Sequence, residues 1–423
     1  GEPERIQIYI IYILVVLYAV CYQLQAPLEP FLVERLVGKE QGSNVVVSYG
    51  RLQSFFQVIQ TVGSLTFGYL LDRVGIRFGF VLNFLACTLT YGILSITDSI
   101  ELLYLSKVPG VAMAGFLCAQ TAVSQLTPPG PERLTALGRL TTAYTIGGIV
   151  GPYCGGLLGS KGDYLLSARV AVVGSLIAAG LSCTLRSDAK VAAVESSGEV
   201  QVAPEQLPWI VRARTVLRLA GCLTLVKLAT STANSIASSS QGLILKNELG
   251  FSEADMGFFM SCQFAFGGFA NAFLLAPVTR LLGGQTRLVV RNCMAISATG
   301  YFLQAGVNSS SLSVLVSSTG PARRYLFVGV AMLLSVFQYS LSTSITAEST
   351  QIVPEHAKGT QLGIEHCIFA AARIFTPSIG TAILNSLGVT GVYTACASVF
   401  LAVFTTWNIF SSRILPPLPK KNG

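Results

Sequence analysis

Charge is what this sequence has least of. Only 11% of its 423 residues are Asp, Glu, Lys or Arg, and the mean hydropathy is +0.61. A water-soluble domain of this length could not cover its surface with so few charges, which excludes a soluble globular fold. Histidine is nearly absent, at two residues, and the ten cysteines sit singly in apolar runs with no CxxC among them. That removes the ligand spacings of zinc and iron–sulfur sites, so the cysteines read as small packing residues and no metal or cofactor is expected. No phosphate-cradling glycine loop, nucleophile elbow or acid–base cluster is found, which argues against an enzyme. The net charge of +8 is dispersed among apolar stretches instead of gathering in a stripe, so nucleic acid is not an expected partner.

What fills the sequence instead is a series of apolar runs of about twenty residues, the length needed to cross a bilayer. They predict twelve spans, at 6–28, 47–71, 78–98, 102–126, 136–159, 165–185, 215–242, 255–278, 288–307, 324–350, 360–384 and 388–411. The larger share of the 28 lysines and arginines falls on one side when both termini are placed in the cytoplasm, the orientation that the positive-inside bias favours. The first run has no small-residue cleavage site and reads as a true span. Residues 186–214 are rich in Ser, Val and charge and hold no apolar run. They read as a cytoplasmic linker between an N-terminal bundle, 1–185, and a C-terminal bundle, 215–423. A faint repeat supports two halves: Gly138 and Pro152 are fourteen apart, as are Gly363 and Pro377, and Gly155 corresponds to Gly380 at the same offset of 225. The expected fold class is an all-α membrane protein of twelve transmembrane helices in two six-helix bundles.

Span 5 carries glycines at 147, 151, 155 and 159, one every four residues, which on a helix form one smooth stripe for close helix contact. Pro152 bends the helix beside that stripe. The full spacing is Gly138, eight residues, Gly147, three residues, Gly151-Pro152, two residues, Gly155-Gly156. It resembles the antiporter signature in the fifth helix of major facilitator superfamily exporters. Between spans 2 and 3, Gly68-Tyr-Leu-Leu-Asp72-Arg73-Val-Gly75-Ile-Arg77 resembles the superfamily's G-x-x-x-D-R-x-G-x-[RK] signature. There Gly68 permits a close contact, Asp72 offers a cap and a charge partner, Gly75 allows a sharp turn, and Arg73 and Arg77 can pair across the cytoplasmic face. LSKVPG at 105–110, ERLTALGRL at 132–140, LVKLA at 225–229 and the run from Arg373 to Pro377 resemble an organic cation transporter-like subgroup of solute carrier family 22, within what looks like the drug:proton antiporter branch.

The resemblance implies secondary active transport of a small organic solute by alternating access, coupled to protons by antiport, with the chain acting as a monomer in the lipid bilayer. An organic-anion uniporter or symporter is the alternative, and a transport-dead receptor a third. Gly68, Asp72, Arg73, Gly75, Arg77, Gly147, Gly151, Pro152 and Gly155 are the expected gating residues. Gln23, Gln25, Gln57, Gln120, Asn234, Gln263, Gln338 and Tyr339 are polar groups inside spans, each readable as a solute contact or as ordinary helix–helix glue. Exporters of this branch often place an acid four residues before the first proline of a PxxP pair. This chain has Gln23 there, and its acid, Glu29, lies between Pro27 and Pro30, so it reads either as a proton carrier or as a solvated residue at the outer mouth.

Ionisable residues inside spans are costly and therefore informative. Lys227 and Arg373 lie near the middle of spans 7 and 11, with Glu348, Glu365 and His366 nearer the cytoplasmic side. Glu365 is about 12 Å along the axis from Arg373 and can neutralise at most one of the two cations. An anionic or zwitterionic solute is therefore expected beside Lys227 or Arg373, with Glu29, Glu348, Glu365 or His366 carrying protons.

Overall fold

The computed structural model describes residues 2–38, 44–127, 131–186, 209–283, 285–307 and 320–414; within these, 65, 68–74, 355–360, 362, 363, 366 and a few terminal positions are described as helical backbone only. Among the described residues every regular element is a helix. In chain order these are α1 (Glu2–Gln23), α2 (Glu29–Val37), α3 (Val45–Val74), α4 (Ile76–Leu94), α5 (Ile100–Lys107), α6 (Gly115–Leu126), α7 (Pro131–Gly159) and α8 (Leu166–Ser182). They are followed by α9 (Trp209–Asn247), α10 (Glu253–Phe269), α11 (Leu275–Leu281), α12 (Thr286–Val307), α13 (Gly320–Ile352) and α14 (Glu355–Ile414). Seven described stretches are long and apolar enough to cross a membrane, the last of them Cys367–Ile409.

Five predicted spans differ from the helices observed, each for a local reason. The first stops at Gln23, and residues 24–28 form turns before α2 begins. Pro27 cannot continue a helix, while Pro30 is tolerated in the first turn of the next one. The fourth span is not continuous: a tight turn of helix, Val108–Ala112, and the irregular pair Met113 and Ala114 separate α5 from α6. Broken backbone at membrane depth must be satisfied from neighbouring helices, and Gln60 Nε2 donates to the Gly110 carbonyl at 3.1 Å. The eighth span widens into a π-turn at Ala270–Leu274, between α10 and α11. The last two spans are both held in α14, whose 60 residues would reach about 90 Å if straight. Gly388, at φ 67° and ψ −170°, breaks it where spans 11 and 12 were expected to divide.

The chain groups into two compact units, one of residues 1–202 with 245–265 and one of 203–244 with 266–423. In the first, α1 lies along α7 and α8, and α4 lies along α8. In the second, α12 packs between α13 and α14.

The contact of α1 with α7 is made by the glycine stripe. A β-carbon at Gly147 would lie 2.8 Å from the Val16 carbonyl oxygen, and one at Gly151 would lie 2.9 Å from that of Val20. At Gly155 and Gly159 it would collide with Leu24 and Leu28. The opposite side of α7 receives the start of α10, which belongs to the same unit. There Gly156 meets Gly257 backbone to backbone, Gly148 lies under the Phe264 ring, and Ser261 Oγ donates to the Ile149 carbonyl at 2.6 Å. Pro152 is buried between these two faces. In the second unit Gly380 repeats the stripe's contact, its β-position 2.8 Å from the Ile236 carbonyl of α9. The repeat-related glycines Gly155 and Gly380 thus each meet a backbone carbonyl, that of Leu24 just after α1 and that of Ile236 in α9.

Gly151→Leu should lower the midpoint of thermal unfolding in detergent, because an overpacked contact costs about 1–3 kcal/mol. Gly138 lies on the same helix with open space around its β-position. Gly138→Leu should leave the midpoint unchanged or raise it, by up to about 1 kcal/mol of helix propensity. Equal effects at the two sites would show that the stripe is not a packing surface.

Candidate functional site

The second unit brings a lysine, a glutamate and a ring of hydroxyl and amide groups to one place. Lys227, midway along α9, forms an ion pair with Glu365 of α14. The Lys227 ammonium also donates to Thr346 Oγ1 at 2.6 Å. The second Glu365 oxygen, Oε1, accepts from Ser349 Oγ at 2.9 Å and from Gln361 Nε2 at 2.8 Å. Thr346 and Ser349 are three apart on α13, and Gln361 and Glu365 four apart on α14, so each pair shares a helix face. The Glu365 side chain is only 3% exposed and that of Lys227 is 19% exposed. A charge so enclosed persists only when paired and hydrogen-bonded, and here both partners are.

A small pocket opens beside the pair. Thr224, Leu228 and Ser231 of α9 and Ile368 and Phe369 of α14 complete its wall. One turn further along α14, the exposed Arg373 stacks its guanidinium on the Phe369 ring, 5.6 Å from the centroid. Phe369 thus links the pocket to the second cation. Of the sequence-predicted ions Lys227 and Glu365 meet here, Glu365 neutralises Lys227, and Arg373 lies beyond Phe369.

Glu348 is elsewhere. It is fully buried, and its Oε1 accepts from Arg287 Nε of α12 at 2.6 Å. Asn234 and Gln338 are joined through one tyrosine: Tyr301 donates to Asn234 Oδ1 at 2.9 Å and accepts from Gln338 Nε2 at 2.6 Å. They therefore tie α9, α12 and α13 together. Tyr339 covers Gly267, and 42% of its surface is exposed.

In the first unit Glu29 is not a solvated residue at an open mouth. Its side chain is 13% exposed, Oε1 accepts from Lys107 Nζ at 2.6 Å, and Oε2 accepts from Gln53. Lys107 also lies 5.1 Å from the centre of the Phe56 ring. It is the last residue of α5, so the helix break at Pro109 fixes where its side chain starts. Gln25 accepts from Ser167 Oγ at 3.0 Å. Gln23, Gln57 and Gln263 are half-buried and Gln120 is exposed. At the far end of this unit Lys246 pairs with Glu34, and Tyr164 donates to Glu253 at 2.8 Å. Burial, with the Glu253 carboxylate beside it, pushes the Tyr164 phenol up to about 12.

Gly75 starts α4 with φ 81°, a left-handed conformation that glycine adopts without strain, and Arg77 is exposed. The side chains of Asp72, Arg73 and His366, and the surroundings of Gly68, lie outside the described residues. Sequence reasoning missed Lys107, Gln53, Thr346, Ser349, Gln361 and Arg287 as partners. Lys107 carried a signal, being a cation in an apolar run without a nearby acid; the hydroxyl and amide partners carried none.

A family description, Major Facilitator Superfamily, matches residues 11–320. Solute carrier family 22 member 18 of Mus musculus is 28% identical over 399 residues, covering 92% of this chain and 91% of that protein. The class C tetracycline resistance protein of Escherichia coli is 24% identical over 318 residues, covering 72% and 76%. A crystal structure of the peptide transporter POT in complex with sulfate superposes with a TM-score of 0.73 at 15% identity, covering 96% of this chain and 94% of that one, which shows the shared fold.

The burial of the charge pairs gives a direct stability comparison. Lys107→Met strands the enclosed Glu29 and should cost about 3–5 kcal/mol. Arg169 and Asp163 also pair, at 3.1 Å, but are 56% and 43% exposed, so Arg169→Met should cost less than about 1 kcal/mol. Thermal unfolding of the two variants checks this, and equal losses would contradict the burial argument.

Proposed function

The chain belongs to the Major Facilitator Superfamily, and on that premise we propose that it is a secondary active transporter exchanging a small zwitterionic organic solute for protons by alternating access. It is an integral multi-pass membrane protein. The reading places both termini in the cytoplasm and takes 1–185 and 215–423 as the two bundles joined by 186–214. It has the chain act as a monomer and takes the Gly68–Arg77 segment and the glycine stripe as gating parts.

The observation that carries the proposal is the enclosed Lys227–Glu365 pair; the space beside it, about 10 Å³, holds no more than a water, so a solute reaches the pair only when the helices part. A zwitterion can enter such a pair by exchanging partners. Its ammonium takes Glu365 and its carboxylate takes Lys227, with Arg373 beside Phe369 available to the same carboxylate. No net charge is added to the interior, so the desolvation cost of a lone ion is avoided. A proton on Glu365 removes the ammonium's partner. Proton and solute then exclude one another at one carboxylate, the condition that antiport needs.

A second reading is favoured by Arg373, an exposed guanidinium stacked on a ring with no carboxylate partner among the described residues. A simple anion lacks an ammonium to satisfy Glu365, so it fits beside Lys227 only when Glu365 is protonated. The same site would then run an organic anion by proton symport.

Purified protein in proteoliposomes distinguishes these, using imposed pH gradients and matched zwitterions, anions and cations. The proposal predicts that an acidic interior drives zwitterion accumulation. Glu365→Gln removes the carboxylate that holds the ammonium, so it should cut both the gradient-driven accumulation and the exchange of labelled for unlabelled zwitterion at least tenfold. Accumulation of anions driven by an acidic exterior would replace antiport with symport. Absence of flux for every compound would overturn the transporter reading.

A further inference from the structure

We propose that a cleft between α1 and α7, within the first unit, binds an anionic amphiphile: a phosphate or carboxylate head on an aliphatic chain. The cleft has a volume of about 560 Å³, within the range of ligand-sized pockets. Arg139 of α7 lines it, and an adjoining cleft that shares Tyr9, Tyr12 and Arg139 adds a second guanidinium, Arg5 of α1, at that end, the rim. Both are exposed, and neither has an ion-pair partner among the described residues. Among the described residues Glu132 is the one carboxylate lining that adjoining cleft, so the described groups at this end keep an excess of positive charge.

Below the rim is an aromatic collar. Tyr12 donates to the Ala136 carbonyl at 3.0 Å, which pins its ring to α7 as a wall of the cleft. Tyr9 meets that ring edge-on, with centroids 6.2 Å apart. Deeper still the lining is apolar, with Ile13 on one side and Ile146 on the other, 51% and 47% exposed. From Tyr9 to the last lining residue of α1, Leu17, the cleft runs about 12 Å along the helix axis.

This order of chemistry selects its ligand. A free inorganic anion would meet the rim and leave the apolar walls unused. A neutral or cationic amphiphile would fill the walls and meet two cations at the rim. An anionic head on a chain satisfies both, through charge-assisted hydrogen bonds at the arginines and burial of methylenes below. The site lies entirely in the first unit and does not rest on the transport reading.

The test uses purified full-length protein in neutral maltoside detergent and radiolabelled dodecyl phosphate. Saturable binding is expected, weakened at least tenfold in Arg139→Gln and in Arg5→Gln. Both side chains are exposed, so these variants should fold, which their thermal midpoints verify. Butyl phosphate should compete at least a hundredfold more weakly than unlabelled dodecyl phosphate, since each methylene contributes roughly threefold. Inorganic phosphate and dodecyltrimethylammonium should not compete. Nanodiscs containing phosphatidic acid, set against phosphatidylcholine alone, identify the source. Displacement points to the bilayer, its absence to a soluble amphiphile, and either supports the site. Unchanged binding in Arg139→Gln, or equal competition by the ammonium amphiphile, would reduce the cleft to a greasy surface and overturn the proposal. Competition by inorganic phosphate as strong as by dodecyl phosphate would overturn it as well.

Discussion

A buried lysine and glutamate held together set the terms for the second unit. Neither Lys227 nor Glu365 could remain there alone, because an isolated charge in a low-dielectric interior costs several kcal/mol. Once they meet, every remaining lone pair and proton must also be satisfied, which is why Thr346, Ser349 and Gln361 converge on them. The requirement reaches into the helices themselves. α9, α13 and α14 must keep the register that presents these side chains to one point. The Asn234–Tyr301–Gln338 chain fixes α9 to α13 through α12. A pair so constrained can serve as a switch, because only a partner that replaces both charges can separate it cheaply.

The first unit meets the same constraint by another route. Its buried pair, Lys107 with Glu29, joins residues at two interruptions of helix: the end of α5 before the Pro109 break, and the start of α2 after the turns at 24–28. Interruption aims the charges, and close packing stabilises the rest. Glycine at every fourth position lets α7 and α1 approach until backbone meets backbone, and a second glycine face takes α10. Dispersion at that distance, not hydrophobic burial, holds helices together where lipid is as apolar as leucine.

Much of this was legible in the sequence. Apolar run length located the spans, because bilayer thickness sets it, and the four-residue glycine period announced a helix contact before any neighbour was known. The break in the fourth span was written as Pro109-Gly110 but hidden by the continuous hydropathy around it. Which residues pair was not legible. Lys107 and Glu29 are 78 positions apart and Lys227 and Glu365 are 138 apart. One residue turns a helix face by about 100°, so a run of letters does not say whether Asn234 looks toward a solute or, as found, toward Tyr301. Serine and threonine partners such as Ser349 were invisible for the same reason: hydroxyls are common in these spans, and only geometry separates those bound to their own helix from those bound to a charge.

Reversing the charges one at a time and then together tests the central claim most directly. Thr346, Ser349 and Gln361 can each accept as well as donate a hydrogen bond, so their ring tolerates either polarity. If the ion pair organises the second unit, Lys227→Glu and Glu365→Lys should each sharply lower the thermal midpoint in detergent. The double variant should recover most of the loss, with a coupling free energy of about 3 kcal/mol or more. Single reversals that melt like the parent protein, or a double variant no more stable than the worse single one, would contradict it.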